Sequence, residues 1–370
     1  MSNAQERINH IINAKIKHDK TTVNNARWQC VDVAKKLGLT FHGGFAINNC
    51  LSSKNKLFDD TDIPDIDTMS SKNNNSKKTA FVVADELRKR GIKQVRVLQA
   101  IHQHTYSVRM DRTVLIDISH IKQSEMNSLN SIAKIEGVYE KRSVPPSYLK
   151  MSMHLELCRP KMFVERWKKI YPRLTAIYQD YPSLIKDYTI SSDLILTEPE
   201  PNPIREAFHT LDFNKHFCLV GSDSVHALTG KWYLRDWPVD MMFHQDDIRD
   251  ADSFVNGLIH TLDLDYPAHK TKETLFLPEY YLLSKNGAYV GRVFVTNTEV
   301  STAKKEDEGP VFGSTDLVLQ LLYGQYLKNY TADKDTKDRI ISSINDLVCI
   351  QYTASCDAGL TRRFSSVDSV

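Results

Sequence analysis

Asp65 and Asp67 flank a single isoleucine in the segment IPDIDTMS, residues 63 to 70, and this alternation constrains the fold more than any other feature of the chain. Successive side chains of a β-strand point to opposite faces, so the two carboxylates share one face while Ile66 enters the core. Two like charges so close repel one another unless a cation lies between them. Oxygen ligands on a rigid strand suit Mg²⁺ or Mn²⁺. A third aspartate, Asp117, sits in VLIDIS, residues 114 to 119, between Ile116 and Ile118. That apolar, β-branched stretch predicts another strand of the same sheet, which supplies Asp117 as a third ligand. Three carboxylates and two divalent ions make a two-metal site for phosphoryl transfer.

The segment HGGFAIN, residues 42 to 48, complements the acids. Gly43 and Gly44 are predicted between a short strand at 39 to 41 and a helical turn at 45 to 51. There they let the backbone approach a triphosphate, with amide N–H groups and the helix N-terminus facing the anion. One ion would bridge the triphosphate oxygens, and the other, held by all three aspartates, would activate the 3′-hydroxyl of an acceptor strand. A D-x-D pair, a double glycine or a strand aspartate alone occurs widely without a metal. Their order along one α/β stretch carries the reading.

A chain of 370 residues exceeds what one compact core supports, so two domains are expected. Helical spacing appears at 4 to 17 and again at 22 to 37. Strands follow at 64 to 70, 95 to 100, 105 to 110 and 113 to 119, with a helix at 79 to 90. The chain reads as helical again from 147 to 178. TEPEPNPIRE, residues 197 to 206, holds three prolines in ten residues and reads as a linker. This gives N-terminal helices at 1–37, a catalytic domain with trailing helices at 38–196 and a second domain at 197–370. Two helices are expected near its end, at 313 to 326 and 336 to 349. The fold class is α/β (α+β).

Six cysteines occur without zinc spacing, and the start MSNAQERINH has no apolar run that predicts a signal peptide. No uncharged apolar stretch reaches membrane-spanning length, so the expectation is a cytoplasmic protein that needs no membrane.

At GGFAINNCL, PDIDTMS, QAIHQHTYSVRM and VLIDISHI the chain resembles the polymerase-β-like nucleotidyltransferases, and among them the poly(A) polymerase catalytic subunits of poxviruses and giant viruses. The likeness continues through PPSYLKMSMHLELCRP, RWKKIYPRL, STDLVLQLLYGQYL and GLTRRFSS. The resemblance implies ATP as donor, an RNA 3′ end as acceptor and addition of adenylates, with Mg²⁺ or Mn²⁺ as two ions. It sets the work in the host cytoplasm, a viral factory or the virion, and leaves open a homodimer or a viral processivity partner. Asp65, Asp67 and Asp117 fall on the family's metal-binding acids, and Gly43 and Gly44 on its triphosphate turn. Cellular enzymes usually carry serine at the second turn position, and Gly44 lacks that hydroxyl. Superfamily architecture suggests Lys150, at a helix start, as a triphosphate contact.

Other residues extend the picture. SSKNNNSKKTA, residues 70 to 80, follows the first acid strand and carries Lys72, Lys77 and Lys78, which suit RNA phosphates or a solvated loop equally. In the second half, FCLVGSDSVHALTG places Gly221-Ser222 between a strand and a helix, and WPVDMMF brings Asp240 to the place of a first acid. Met242 then breaks the pair, and the strand AYVGRVFVT holds no acid, so this half is expected to be a degenerate second copy without metal. Alternatives for the whole chain are another terminal or CCA-type transferase, or a non-catalytic RNA-binding processivity subunit.

Overall fold

The computed structural model describes residues 2–71, 75–102, 104–182, 202, 204–205, 207, 217–232, 239–244, 251–296, 300–304, 311–329 and 332–353. They fall into two compact units, Met1–Leu149 and Lys150–Val370.

The first unit opens with one helix, α1 (Ser2–Leu37), rather than the expected two. The polar stretch at 18 to 22 contains neither glycine nor proline, so nothing there interrupts backbone hydrogen bonding. Its second half buries Ala26, Cys30, Val31, Val33 and Ala34. Gly38, at φ 72°, ends it, with the Leu39 N–H donating to the Ala34 carbonyl at 3.0 Å. Then come β1 (Thr40–His42), α2 (Gly43–Cys50), β2 (Ile66–Ser70), α3 (Ser76–Lys89), β3 (Val95–Gln99), β4 (Thr105–Met110), β5 (Thr113–His120) and α4 (Gln123–Ile135). The helix α4 was not expected from the sequence.

These strands form a five-stranded sheet in the order β1-β2-β5-β4-β3. Only β2 and β5 run parallel; the other neighbours are antiparallel. Ile66, Val108, Ile116 and Ile118 are fully buried in its core, and α1 and α3 pack against it. Residues 142 to 144 cover the β1 edge, with the Phe41 N–H donating to the Arg142 carbonyl and the Val144 N–H to Phe41.

Helix α5 (Pro146–Leu157) contains the division between units, which therefore lies upstream of the proline-rich stretch; most of residues 197 to 206 fall outside the described residues. After α6 (Pro160–Asp180) come β6 (Phe217–Val220), α7 (Ser222–Thr229), β7 (Val239–His244), α8 (Ala251–Leu262), β8 (His269–Thr271), β9 (Tyr280–Lys285), β10 (Ala288–Thr296), β11 (Thr302–Lys304) and β12 (Val311–Gly313). The two expected terminal helices are α9 (Thr315–Lys328) and α10 (Lys334–Val348).

The second sheet has seven strands in the order β11-β12-β6-β7-β10-β9-β8. Its β6-β7-β10-β9-β8 run repeats the first sheet strand for strand. The β7–β10 pair is parallel, as β2–β5 is, and the other pairs of the run are antiparallel. The second half thus repeats the sheet topology of the first, extended by two strands and followed by helices. Among the described residues no helix is long and apolar enough to cross a membrane.

Candidate active site

The sheet register brings the acids together. Asp67 pairs with Asp117 across the parallel β2–β5 ladder, so the two carboxylates share one face on neighbouring strands. The Thr68 hydroxyl donates to the Asp117 carbonyl at 2.9 Å and fixes that register. Asp65 lies one residue before β2 begins, and its spacing from Asp67 keeps it on the same side. All three are partly buried. Among the described residues no three carboxylate, imidazole or thiol groups already converge on one point.

Gly43 has a specific reason to be glycine. Its φ of 63° is left-handed, and a Cβ placed there would meet Asp67 Oδ2 at 2.1 Å. The turn before α2 therefore exists in contact with the second acid. Asp117 Oδ1 is buried and has no hydrogen-bond partner. An unpaired carboxylate oxygen in such a place is costly unless a cation or a water-bearing ion answers it, so the donor set fits a hard divalent ion.

Two further residues belong to the same row, and the sequence reading assigned them no role. His42 is the register partner of Asp67 on β1, and Ser107 that of Asp117 on β4. His42 Nε2 and Ser107 Oγ are also buried without hydrogen-bond partners. Burial lowers the His42 imidazole to about 4, which keeps it neutral, although a hydrogen bond to the Thr68 backbone acts the other way. The only sequence signal was a polar residue interrupting each β-forming stretch.

The second unit corrects one expectation. Gly221, at φ 73°, is followed by α7, and a Cβ on it would meet Asp240 Oδ2 at 2.7 Å. Asp240 pairs with Val220, the residue before that turn. By both measures Asp240 stands where Asp67 stands, at the second acid and not the first; the residue two upstream in sequence is Pro238. The place of Asp117 is taken by Arg292, the β10 partner of Asp240. Its Nε and Nη2 donate to Asp240 Oδ1 and Oδ2 at 2.6 and 2.5 Å. Burial pushes the Asp240 carboxyl up, and the guanidinium pulls it back. Beside this pair, Arg205 Nε donates to Asp223 Oδ1 at 2.6 Å.

The basic candidates are distributed differently from the expectation. Lys150 is only 1 % exposed; its ammonium donates to the Tyr181 carbonyl and lies 4.4 Å from the centroid of the Tyr178 ring. It is a buried cation among partners of its own unit, not a side chain presented to a ligand. Lys77 and Lys78 are exposed, but they occupy the first turn of α3 rather than a loop, and the Asn75 side chain caps that turn by accepting from the Lys78 N–H. Lys72 lies outside the described residues.

Comparison with known proteins converges on one group. Residues 30–162 match the family "Poly(A) polymerase catalytic subunit". A protein of African swine fever virus, strain Badajoz, named "Putative poly(A) polymerase catalytic subunit", is 29 % identical over 155 residues, which are 40 % of this chain and 31 % of that protein. The protein of the same name from a Kenyan pig isolate is 28 % identical over the same length, again 40 % and 31 % of the two chains. The match thus spans about a third of the length of these curated relatives. The crystal structure of the Megavirus polyadenylate synthase superposes with a TM-score of 0.71 at 15 % identity, covering 98 % of this chain and 75 % of that one. Residues 30–162 are thus similar in sequence to viral poly(A) polymerase catalytic subunits, and nearly the whole chain shares the fold of the Megavirus polyadenylate synthase.

Proposed function

We propose that the protein is a poly(A) polymerase that adds AMP from ATP to RNA 3′ ends by a two-metal mechanism, acting in the infected cell's cytoplasm, a viral factory or the virion. The observation that carries this reading is the pairing of Asp67 with Asp117 on adjacent parallel strands, with Gly43 pressed against Asp67. Asp65, Asp67 and Asp117 would hold two Mg²⁺ or Mn²⁺ ions, which when bound neutralise phosphate charge and make the attacking hydroxyl more acidic. Asp67 is kept in place from behind by the glycine turn. The backbone of Gly43 and Gly44, at the start of α2, offers N–H groups to the ATP phosphates without a side chain in the way. Lys77 and Lys78, exposed on the helix that follows β2, would neutralise RNA phosphates, with Lys72 as a third candidate. A triphosphate role for Lys150 would require its ammonium to leave Tyr181 and the Tyr178 ring.

The test is direct: purified protein, a short labelled RNA, Mg²⁺ or Mn²⁺, and each nucleotide in turn. ATP should give the long product. Asp65→Ala, Asp67→Ala and Asp117→Ala should each lower the rate by about 10² or more, since several kcal/mol of charge stabilisation are lost. Equal use of all four nucleotides would point to another terminal transferase. More than a tenth of wild-type activity in Asp67→Ala would refute the metal assignment.

A further inference from the structure

One row across the first sheet reads His42, Asp67, Asp117, Ser107 from β1 to β4. Directly opposed residues of neighbouring strands lie on one face, so all four side chains look the same way. Three of these side chains, His42, Asp117 and Ser107, hold a buried atom without a hydrogen-bond partner. Such atoms are rare in folded proteins, and three in one row call for a common explanation.

The fold does satisfy buried hydroxyls elsewhere on this face. Two residues further along β5 and two back along β4, Ser119 and Thr105 are register partners, and their hydroxyls bond each other at 2.9 Å. Ser107 has no such neighbour, although it is only 1 % exposed.

The second unit supplies an internal control. Its matching row reads Val220, Asp240, Arg292, Leu282. Where a guanidinium provides the positive charge from within, the places of His42 and Ser107 are filled by apolar side chains. The two polar flanks accompany the row with two acids and are missing from the row that pairs an acid with a guanidinium.

We propose that His42 and Ser107 are positioning residues of the metal site: His42 Nε2 and Ser107 Oγ bond waters carried by the ions at Asp65, Asp67 and Asp117, and so fix how those ions sit. The inference rests on the proposed metal reading. The ring of His42 bonds the Thr68 backbone, and its Nε2 is left buried without a partner. Residues in such outer positions change metal affinity by about 10- to 100-fold in characterised sites.

The test uses the full chain and Mn²⁺ alone as probe. Mn²⁺ affinity is measured by calorimetry and thermal unfolding is followed with chelator present, for wild type, Ser107→Ala, His42→Val, His42→Gln and Asp67→Asn. The expected result has two opposed parts. Ser107→Ala and His42→Val bind Mn²⁺ about tenfold more weakly, while the metal-free melting temperature of Ser107→Ala equals or exceeds that of wild type, because an unsatisfied buried hydroxyl has gone. His42→Gln, which keeps a polar tip, recovers part of the affinity. Unchanged Mn²⁺ affinity in both variants, or a lowered metal-free melting temperature in Ser107→Ala, would overturn the proposal and leave both residues structural. Failure of the wild type to bind Mn²⁺, or equal binding by Asp67→Asn, would overturn the metal reading itself. These two failures are therefore distinguishable.

Discussion

Gly43 and Lys150 place opposite demands on a single side chain. Gly43 must have none: alanine there would strain a left-handed backbone and drive its Cβ into the Asp67 carboxylate, 2.1 Å away. The backbone strain costs only about 1–2 kcal/mol, so Gly43→Ala should remain folded while losing about 10²-fold or more in RNA adenylation through displacement of a metal ligand. Circular dichroism and a single-turnover assay on the same preparation check both halves. Lys150 must be a cation, but for its own unit. Its ammonium is buried against the Tyr178 ring and the Tyr181 carbonyl, so Lys150→Met should lower stability by on the order of 2 kcal/mol and leave the KM for ATP nearly unchanged. A large rise in that KM with an intact melting temperature would restore the triphosphate role. At this scale the acids and glycines were legible because spacing alone puts Asp65 and Asp67 on one side of an extended chain. Lys150 was not, since a lone lysine carries no mark of whether water or a tyrosine ring surrounds it.

Among the elements, α3 holds the clearest departure from local preference. Lys77 and Lys78 sit in its first turn, where the macrodipole favours acids. The helix dipole gains nothing from them there. Lys77→Ala/Lys78→Ala should reduce the salt slope of RNA binding by roughly 1.4, at ~0.7 per phosphate contact on a single strand. Binding titrations between low and moderate salt check this, and an unchanged slope would return the pair to solvent. The strands of the first sheet were readable to within a few residues from β-branched alternation. Helix α4 was readable in principle, since Met126, Leu129, Ile132 and Ala133 recur at helical spacing and are buried. The continuity of α1 was not, because its polar middle has no apolar stripe to extend the pattern. Register was the least legible layer. No local signal says that Ser107 faces Asp117, yet that pairing decides which polar residues join the site.

At the scale of the whole chain, one sheet topology occurs twice with two solutions to the same electrostatic problem. The first copy sets Asp67 beside Asp117 with no guanidinium in the row; the second sets Arg292 against Asp240 from within. The Gly-Ser turn and the lone aspartate make the repeat legible in the sequence, but the position of Asp240 within it is not, because only strand pairing shows that Val220 and Arg292 flank it. Arg292 carries no mark in the sequence, since a lone arginine in a β-forming stretch does not show that it faces Asp240. A consequence follows for stability. Removing one partner of a buried ion pair leaves the other charged and desolvated, which costs about 3–5 kcal/mol, whereas replacing both by apolar residues is often nearly neutral. Arg292→Ala should therefore destabilise the second unit by about that amount, while Asp240→Val/Arg292→Met should recover most of the loss. Asp240→Asn should leave the adenylation rate within a few-fold of wild type, in contrast to Asp67→Asn. Denaturant unfolding of the four variants, with Mn²⁺ anomalous scattering from crystals of the wild type, checks the set. If the double variant were as unstable as Arg292→Ala, the pair would be more than an internal counter-charge. Anomalous density at Asp240 comparable to that at Asp67 would mean that the arginine yields to a metal, and the second copy would have to be counted as a site.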